Sequence, residues 1–349
     1  MTDILHHNQF CGQNGQTIFD AVVTVRDIIA YAEETNKPIC LLSIDFKDAF
    51  HKIAHIYLFM ILQEYGISDH FCSRLQKIYA DATSTLILNG HKSTPIKILS
   101  GVPQGCPLSM LLFALCINPL LINLDKKLKG INIRHNSTKM TAIAYADNIT
   151  IIVTQPEEIY IIKETLHDYM QATGASINAN KSCVIALGSW NKLTPIMDIN
   201  YYDDITLLGF NMTKNTQDSA NKSWAVLTVK IRAQVQEAYY RALNLEHWVR
   251  YVNDFLLARV WYTTQIFPPP QRSCPTDEYS YIMVLMERRN LQSSVINATT
   301  AQRVWRLSSD TYNGEMHDTI HAANGDARSK DKYFHCWLAN KMEATWKNT

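Results

Sequence analysis

Several things are missing from this 349-residue chain. Its eight cysteines, at 11, 40, 72, 106, 116, 183, 274 and 336, form no Cys-x-x-Cys pair and no Cys/His zinc spacing, which argues against a structural zinc site. Several lie in apolar runs, so they are expected to be reduced core residues in a reducing compartment. No run of about 18 apolar residues occurs, so no membrane span is expected. The first residues, Met1-Thr2-Asp3-Ile4-Leu5-His6-His7, lack a basic region followed by a long apolar stretch. An intracellular location, nucleus or cytoplasm, is therefore expected rather than secretion. There is no internal repeat, and no excess charge of either sign. The 33 Lys plus Arg against 32 Asp plus Glu leave +1, so any surface for a polyanion has to be a local patch. What the chain does have is apolar material: 47% hydrophobic residues over this length suffice for two or three subdomains with real cores.

Helical spacing runs over 15–35 through Phe19, Val22, Val25, Ile29 and Ala32, before Pro38. Residues 39–45 read as a short apolar strand, and 51–65 return to helical spacing through Ile53, Tyr57, Ile61 and Tyr65. Another helix is expected over 69–81. Residues 84–88 and 96–99 flank the turn dipeptide Asn89-Gly90 and predict a hairpin. A buried apolar helix is expected from Pro107 to about Leu124. Residues 139–145 and 149–154 bracket Tyr145-Ala146-Asp147-Asn148 as a second hairpin with an acid at its tip. An amphipathic helix over 156–173 ends at Gly174, and strands follow over 182–187 and 204–210. From Asn221 the texture changes: 226–264 is helical and rich in Arg, Tyr and Trp, until Pro268-Pro269-Pro270. Strands alternating with crossing helices fit an α+β fold.

Two carboxylates follow apolar strands. Asp45 comes after Ile39-Cys40-Leu41-Leu42-Ser43-Ile44, and Asp147 after Ala142-Ile143-Ala144-Tyr145-Ala146. Acids held rigidly at strand ends can bind a pair of divalent cations for phosphoryl transfer. Between them lies Ser100-Gly101-Val102-Pro103-Gln104-Gly105-Cys106-Pro107-Leu108-Ser109. Its glycines let a backbone pass close to a nucleotide, its prolines stiffen it, and Gln104 offers both a donor and an acceptor. Plainer readings stand beside these: a Gly/Pro turn before a helix, Phe50 as core, Asp48 as a surface charge and Lys181 as a solvated loop lysine.

The order and spacing of these segments resemble the palm of a reverse transcriptase, of the LINE type found in non-LTR retrotransposons. The resemblance covers residues 8–265, with its specific motifs between 39 and 187. It implies partial fingers over 1–38, a right-hand polymerase palm over 39–215 and a helical thumb-like region over 216–270. A C-terminal helical tail of unassigned role, 271–349, would follow. It further implies DNA synthesis on an RNA template from a DNA primer 3′-hydroxyl, using deoxynucleoside triphosphates and two Mg²⁺ ions, with Mn²⁺ as a substitute. Asp45 and Asp147 would hold the metals, with the Phe46 carbonyl and Asn148 beside them. Phe50 would stack under the sugar and exclude a 2′-hydroxyl. Gly101, Gln104, Gly105 and Tyr145 would contact nucleotide or template. In Gly174-Ala175-Ser176-Ile177-Asn178-Ala179-Asn180-Lys181-Ser182, the lysine would meet pyrophosphate. Leu207-Leu208-Gly209-Phe210 resembles the hairpin at the primer end. In the thumb-like region Lys230, Arg232, Arg241, Arg250 and Arg259 interleave with Tyr239, Tyr240, Trp248, Tyr251, Trp261 and Tyr262, which suits a duplex backbone and stacked bases.

The departures matter as much. The family pattern has a second Asp where Asn148 stands, and an amide is a poor substitute for a carboxylate on a hard cation. Upstream, Gln9-Phe10-Cys11-Gly12-Gln13-Asn14-Gly15-Gln16-Thr17 resembles a fingers motif, but Gln16 stands where relatives carry Arg. The fingers segments that normally precede that motif are expected to be absent. Weaker metal binding and reduced turnover are therefore expected. The alternative is a catalytically inactive nucleic-acid-binding remnant.

Overall fold

The computed structural model describes residues 4–133, 139–192, 196–240, 247 and 250–268. Contacts divide the chain into two units, Met1–Ser219 and Ala220–Thr349. The first unit opens with α1 (Ile18–Thr35), whose entry is tied by the Thr17 N–H donating to the Asp20 carboxylate. Then come β1 (Ile39–Ile44), α2 (Ala49–Lys52), α3 (His55–Glu64) and α4 (Asp69–Ala80). A hairpin arm is built from β2 (Thr83–Ser84), β3 (Ile87–Leu88), β4 (His91–Lys92) and β5 (Ile96–Lys97). After it follow α5 (Ser109–Lys127), β6 (Ala142–Tyr145), β7 (Asn148–Val153), α6 (Glu158–Thr173) and β8 (Cys183–Leu187). The short strands β9 (Tyr201–Tyr202), β10 (Asp204–Leu207) and β11 (Phe210–Thr213) lead to α7 (Thr216–Tyr240).

The main sheet has the order β6-β7-β1-β8-β9. Its centre, β1, runs antiparallel to both neighbours, pairing Ile44 with Ile149 on one side and Ser43 with Cys183 on the other. Cys40, Leu42, Ile44, Ile149, Ile151, Val153 and Val184 join one core with buried residues of α3, α5 and α6. The other face meets α1, which packs on β6 and β8 and buries Ala21, Val22, Val25, Ile28, Ile29 and Ala32. Cover on both faces is why β1 reads as an unbroken apolar run rather than an alternating one. It is also why α1, from the segment assigned to partial fingers, lies against this sheet.

Three local expectations need correction. The helix expected over 51–65 is broken: Ile53 and Ala54 are extended, and the Ala54 N–H donates to the Thr173 carbonyl. That captured N–H cannot enter a helical ladder, so α3 starts at His55. The arm around Asn89-Gly90, both at positive φ, pairs β3 with β4, while β5 pairs back to β2. The strand expected over 204–210 is instead the hairpin of β10 and β11, turning at Leu208 and Gly209. Several cysteines are reduced core residues, as expected: Cys11, Cys40, Cys72 and Cys116 are free and buried, Cys183 is half-buried and Cys106 is exposed, while Cys274 and Cys336 lie outside the described residues. By length and composition α5 is long and apolar enough to cross a membrane, although no unbroken apolar run of that length exists. In this fold its Leu112, Phe113, Cys116, Leu120 and Leu124 are buried in the core.

The second unit is helical where described. Trp224, Leu227, Ile231, Val235 and Ala238 are buried along α7. A π-helical turn, Val252–Leu257, continues into α8 (Ala258–Thr264). The Trp224 indole N–H donates to the Pro268 carbonyl, and the Tyr251 hydroxyl to the Gln234 carbonyl. Lys230, Arg232, Arg250 and Arg259 are exposed, whereas Tyr251, Trp261 and Tyr262 are half-buried. Arg241, Trp248, the tail 271–349 and the side chains of Tyr239 and Tyr240 lie outside the described residues.

Candidate active site

Asp45 is the first residue past β1, yet the antiparallel pattern does not stop there. The Asn178 N–H donates to the Asp45 carbonyl at 2.8 Å, and the Lys47 N–H to the Ser176 carbonyl at 2.8 Å, so Phe46 lies opposite Ile177. Those two bonds leave the Phe46 carbonyl out of this bridge. The Asp45 N–H donates to the buried Ser182 Oγ at 3.0 Å, and that hydroxyl donates to the Asn178 carbonyl at 2.9 Å. A closed ring of hydrogen bonds thus fixes the peptide of Asp45, and its members come from the Gly174–Ser182 motif.

Asp147 stands in the two-residue turn of the β6–β7 hairpin, where Tyr145 pairs with Asn148. Ala146, the other turn residue, is left-handed at φ 54. Burial, and after it the negative charge of Asp45, push the Asp147 carboxyl above the ordinary range. The two acids, far apart in sequence, therefore feel each other.

A cleft of about 410 Å³ gathers the chemistry. Among the residues proposed from sequence, Asp45, Phe46, Phe50, Gln104, Asp147 and Lys181 line it. Lys47, Asp48, His51 and Asn178 line it too, and none of these four had been singled out for a role there. Phe50 is held flat against Phe113, with ring centroids 4.4 Å apart and planes 18° apart. Phe113 is fully buried, so the aromatic of Phe50 has a fixed floor.

The remaining candidates lie elsewhere. Gly101 is buried beneath α2: its N–H donates to the Ile53 carbonyl, and a methyl on it would meet His51 Cα at 2.6 Å. Close backbone approach, at a φ of 88, accounts for a glycine there. Gly105 is exposed at φ 86 next to Gln104. Tyr145 is half-buried, and Asn148 is exposed beside the turn; neither is part of the cleft lining. Between Gly105 and Pro107, the exposed Cys106 thiol is held below its ordinary pKa by the N–H groups of Leu108 and Ser109. Beyond the cleft lining, sequence reasoning also leaves Ser182 and Gln9 without a role. Gln9 Oε1 accepts the Ala146 N–H, and both that bond and the Asp45–Ser182 bond span 137 residues. No local spacing announces a bond of that range.

Two carboxylates and a nearby main-chain carbonyl are hard oxygen donors, and a divalent cation would offset the crowding of two acids in one cleft. The donor set therefore fits Mg²⁺ or Mn²⁺. Among the described residues, no group of three or more His, Cys, Asp or Glu side chains is placed to hold a metal ion, so the cation reading rests on Asp45 and Asp147.

Residues 1–224 match the family described as reverse transcriptase (RNA-dependent DNA polymerase). A Xenopus laevis protein named transposon TX1 uncharacterized 149 kDa protein is 28% identical over 279 residues, covering 78% of this chain and 21% of that one. A retrovirus-related Pol polyprotein from the type-1 retrotransposable element R2 of Popillia japonica is 24% identical over 146 residues, covering 42% of this chain and 24% of that one. The chain thus spans about a fifth of the length of these relatives. Among solved structures, an apo telomerase from Candida tropicalis is 11% identical, with a TM-score of 0.44 over 85% of this chain and 55% of that one. A telomerase from the same organism in complex with a TWJ fragment of telomeric RNA gives 11% and 0.43, over 84% and 52%. With more than half its length matched by the family, and with relatives from TX1 and R2 elements, the chain belongs to the reverse transcriptases, in their LINE-type, non-LTR retrotransposon branch.

Proposed function

We propose that the first unit carries out RNA-templated DNA synthesis from a primer 3′-hydroxyl, inside the cell in nucleus or cytoplasm. The observation that carries this reading is the single cleft into which separate segments bring Asp45, Phe50, Gln104, Asp147 and Lys181. In the reaction the 3′-oxygen attacks the α-phosphorus of a deoxynucleoside triphosphate and pyrophosphate leaves. Asp45, Asp147 and the Phe46 carbonyl would hold two Mg²⁺ ions. Bound there, these supply a lowered 3′-hydroxyl pKa and charge neutralisation for the leaving group. Phe50, backed by Phe113, blocks the space a 2′-hydroxyl would need. Gln104 meets the nucleotide or template, and Lys181 offsets the charge on pyrophosphate. The exposed cations on the helices of the second unit would meet duplex backbone.

Asn148 limits rather than abolishes the activity, because it stands beside the cleft while both retained acids line it. Primer extension on an RNA template with Mg²⁺, comparing the native chain with Asp147→Ala and Asn148→Asp, tests this. Extension by the native chain, none by Asp147→Ala and about tenfold more by Asn148→Asp is expected, on the scale of a metal site regaining a favourable neighbour. No product above the Asp147→Ala background in either Mg²⁺ or Mn²⁺ would sink the catalytic reading. The neutral Asn148 and the two-acid site favour a second reading, a polymerase fold retained for binding. That reading requires salt-dependent RNA or hybrid-duplex binding without extension.

A further inference from the structure

The residue just before Asp147 is under strain. Ala146 is left-handed, a conformation that costs an L-residue with a Cβ about 1–2 kcal/mol. Something has to hold it there, and the β6–β7 ladder ends at the Tyr145–Asn148 pair on either side of the turn. The support comes from residues 8–11. The Ala144 N–H donates to the Asn8 carbonyl and the Phe10 N–H to the Ala144 carbonyl, both at 2.8 Å, so this segment adds to the sheet edge with Gln9 beside Ala144. Gln9 is 0% exposed. Its Oε1 accepts two main-chain N–H groups, those of Ala146 and Cys11, each at 3.1 Å. Both partners are donors, so the amide can be oriented only with its oxygen toward the turn. Its Nε2 has no partner, so nothing on the nitrogen side explains why an amide is buried here. The oxygen does: without it, a buried Ala146 N–H would go unpaired in the turn.

We propose that Gln9 is a positioning residue for Asp147, its amide oxygen fixing the Ala146 turn so that the next carboxylate faces Asp45. This rests on the reading of Asp45 and Asp147 as the cation-binding pair. Asn148 makes the dependence sharper, because the residue next to Asp147 is neutral and cannot stand in for a displaced carboxylate. Gln9 touches neither cation nor nucleotide. Its effect should therefore appear in cation affinity and in kcat, with little change in KM for primer–template.

The test is Mn²⁺ binding to the full chain, followed by electron paramagnetic resonance, alongside thermal melting without metal. Gln9→Met keeps the shape and removes the acceptor; Gln9→Glu keeps the acceptor; Asp147→Ala removes the ligand. The expected result is near-complete loss of binding in Asp147→Ala, about tenfold weaker binding in Gln9→Met, and recovery to within about threefold in Gln9→Glu. Should Gln9→Met not fold, Gln9→Asn, whose shorter side chain withdraws the oxygen, takes its place with the same expectation. Native Mn²⁺ affinity in a folded Gln9→Met or Gln9→Asn, with binding lost in Asp147→Ala, overturns the role of Gln9 and leaves the active-site reading intact. Native affinity in Asp147→Ala overturns both.

Discussion

Asp45 and Asp147 share one cleft but are held by unlike means. Asp45 leaves the central strand, which is paired on both sides, and the pairing carries on past the strand through Asn178, Phe46–Ile177 and Ser176. Asp147 sits in a two-residue turn at the β6 edge, next to a strained alanine and above one buried amide. Repeated ladder bonds position the first acid, so no single one of them decides the outcome. The second depends on an individual side chain. A carboxylate on a central strand is robust by construction; one at an edge turn has to be propped.

The sharpest break removes either acid. Asp45→Asn and Asp147→Asn should each lower primer extension by more than the 10–100-fold usual for an outer partner of a metal site, with the fold retained in circular dichroism. Equal losses show that the two acids share one function despite their different supports. The next effect separates the halves. Ser182→Ala removes one of several supports at Asp45, so Mn²⁺ affinity should fall by about threefold. Stability should fall by about 1 kcal/mol, the net worth of a typical hydrogen bond, read as a shift in the denaturant midpoint. A Ser182→Ala loss larger than that of Gln9→Met would reverse the comparison. The smallest effect is in pH. The folded-state pKa of Asp147 is raised, first by burial and then by Asp45. Its contribution to stability is thus fully present below the unfolded carboxylate pKa and is lost as pH rises through the folded value. Without metal, the melting temperature of the native chain should decline as pH rises from the ordinary carboxylate range towards neutrality. Asp147→Asn should remove that part of the slope, and Mg²⁺ should restore the native chain at neutral pH. An identical slope in Asp147→Asn would assign it to other groups.

The elements legible in the sequence were those with local causes. β1, β6 and β7 are apolar runs, Asn89-Gly90 and the Tyr145–Asn148 tip are turn chemistry, and Gly174 caps α6 in a left-handed conformation. The order of the Asp45, Gly101–Ser109, Asp147 and Lys181 segments marked most residues that line the cleft. What could not be read had distant causes. The break before α3 depends on the Thr173 carbonyl, and the fit of Gly101 on the backbone of His51. The supports of both acids reach across 137 residues. A glutamine at the start of a loop motif and a serine at the start of a strand carry no local sign of such partners.

The strand order has one more consequence, and it lies in time. β1 is made early, but both of its neighbours are made late. At synthesis rates of about 5–20 residues per second, the 137 residues between Asp45 and Ser182 take about 7–27 s to appear. Until β7 is made, Ile39-Cys40-Leu41-Leu42-Ser43-Ile44 is an apolar segment with two open edges, and until β8 is made it keeps one, a template for pairing with the wrong chain. The hydrogen bond from Asp45 to Ser182 can form only once that interval has passed.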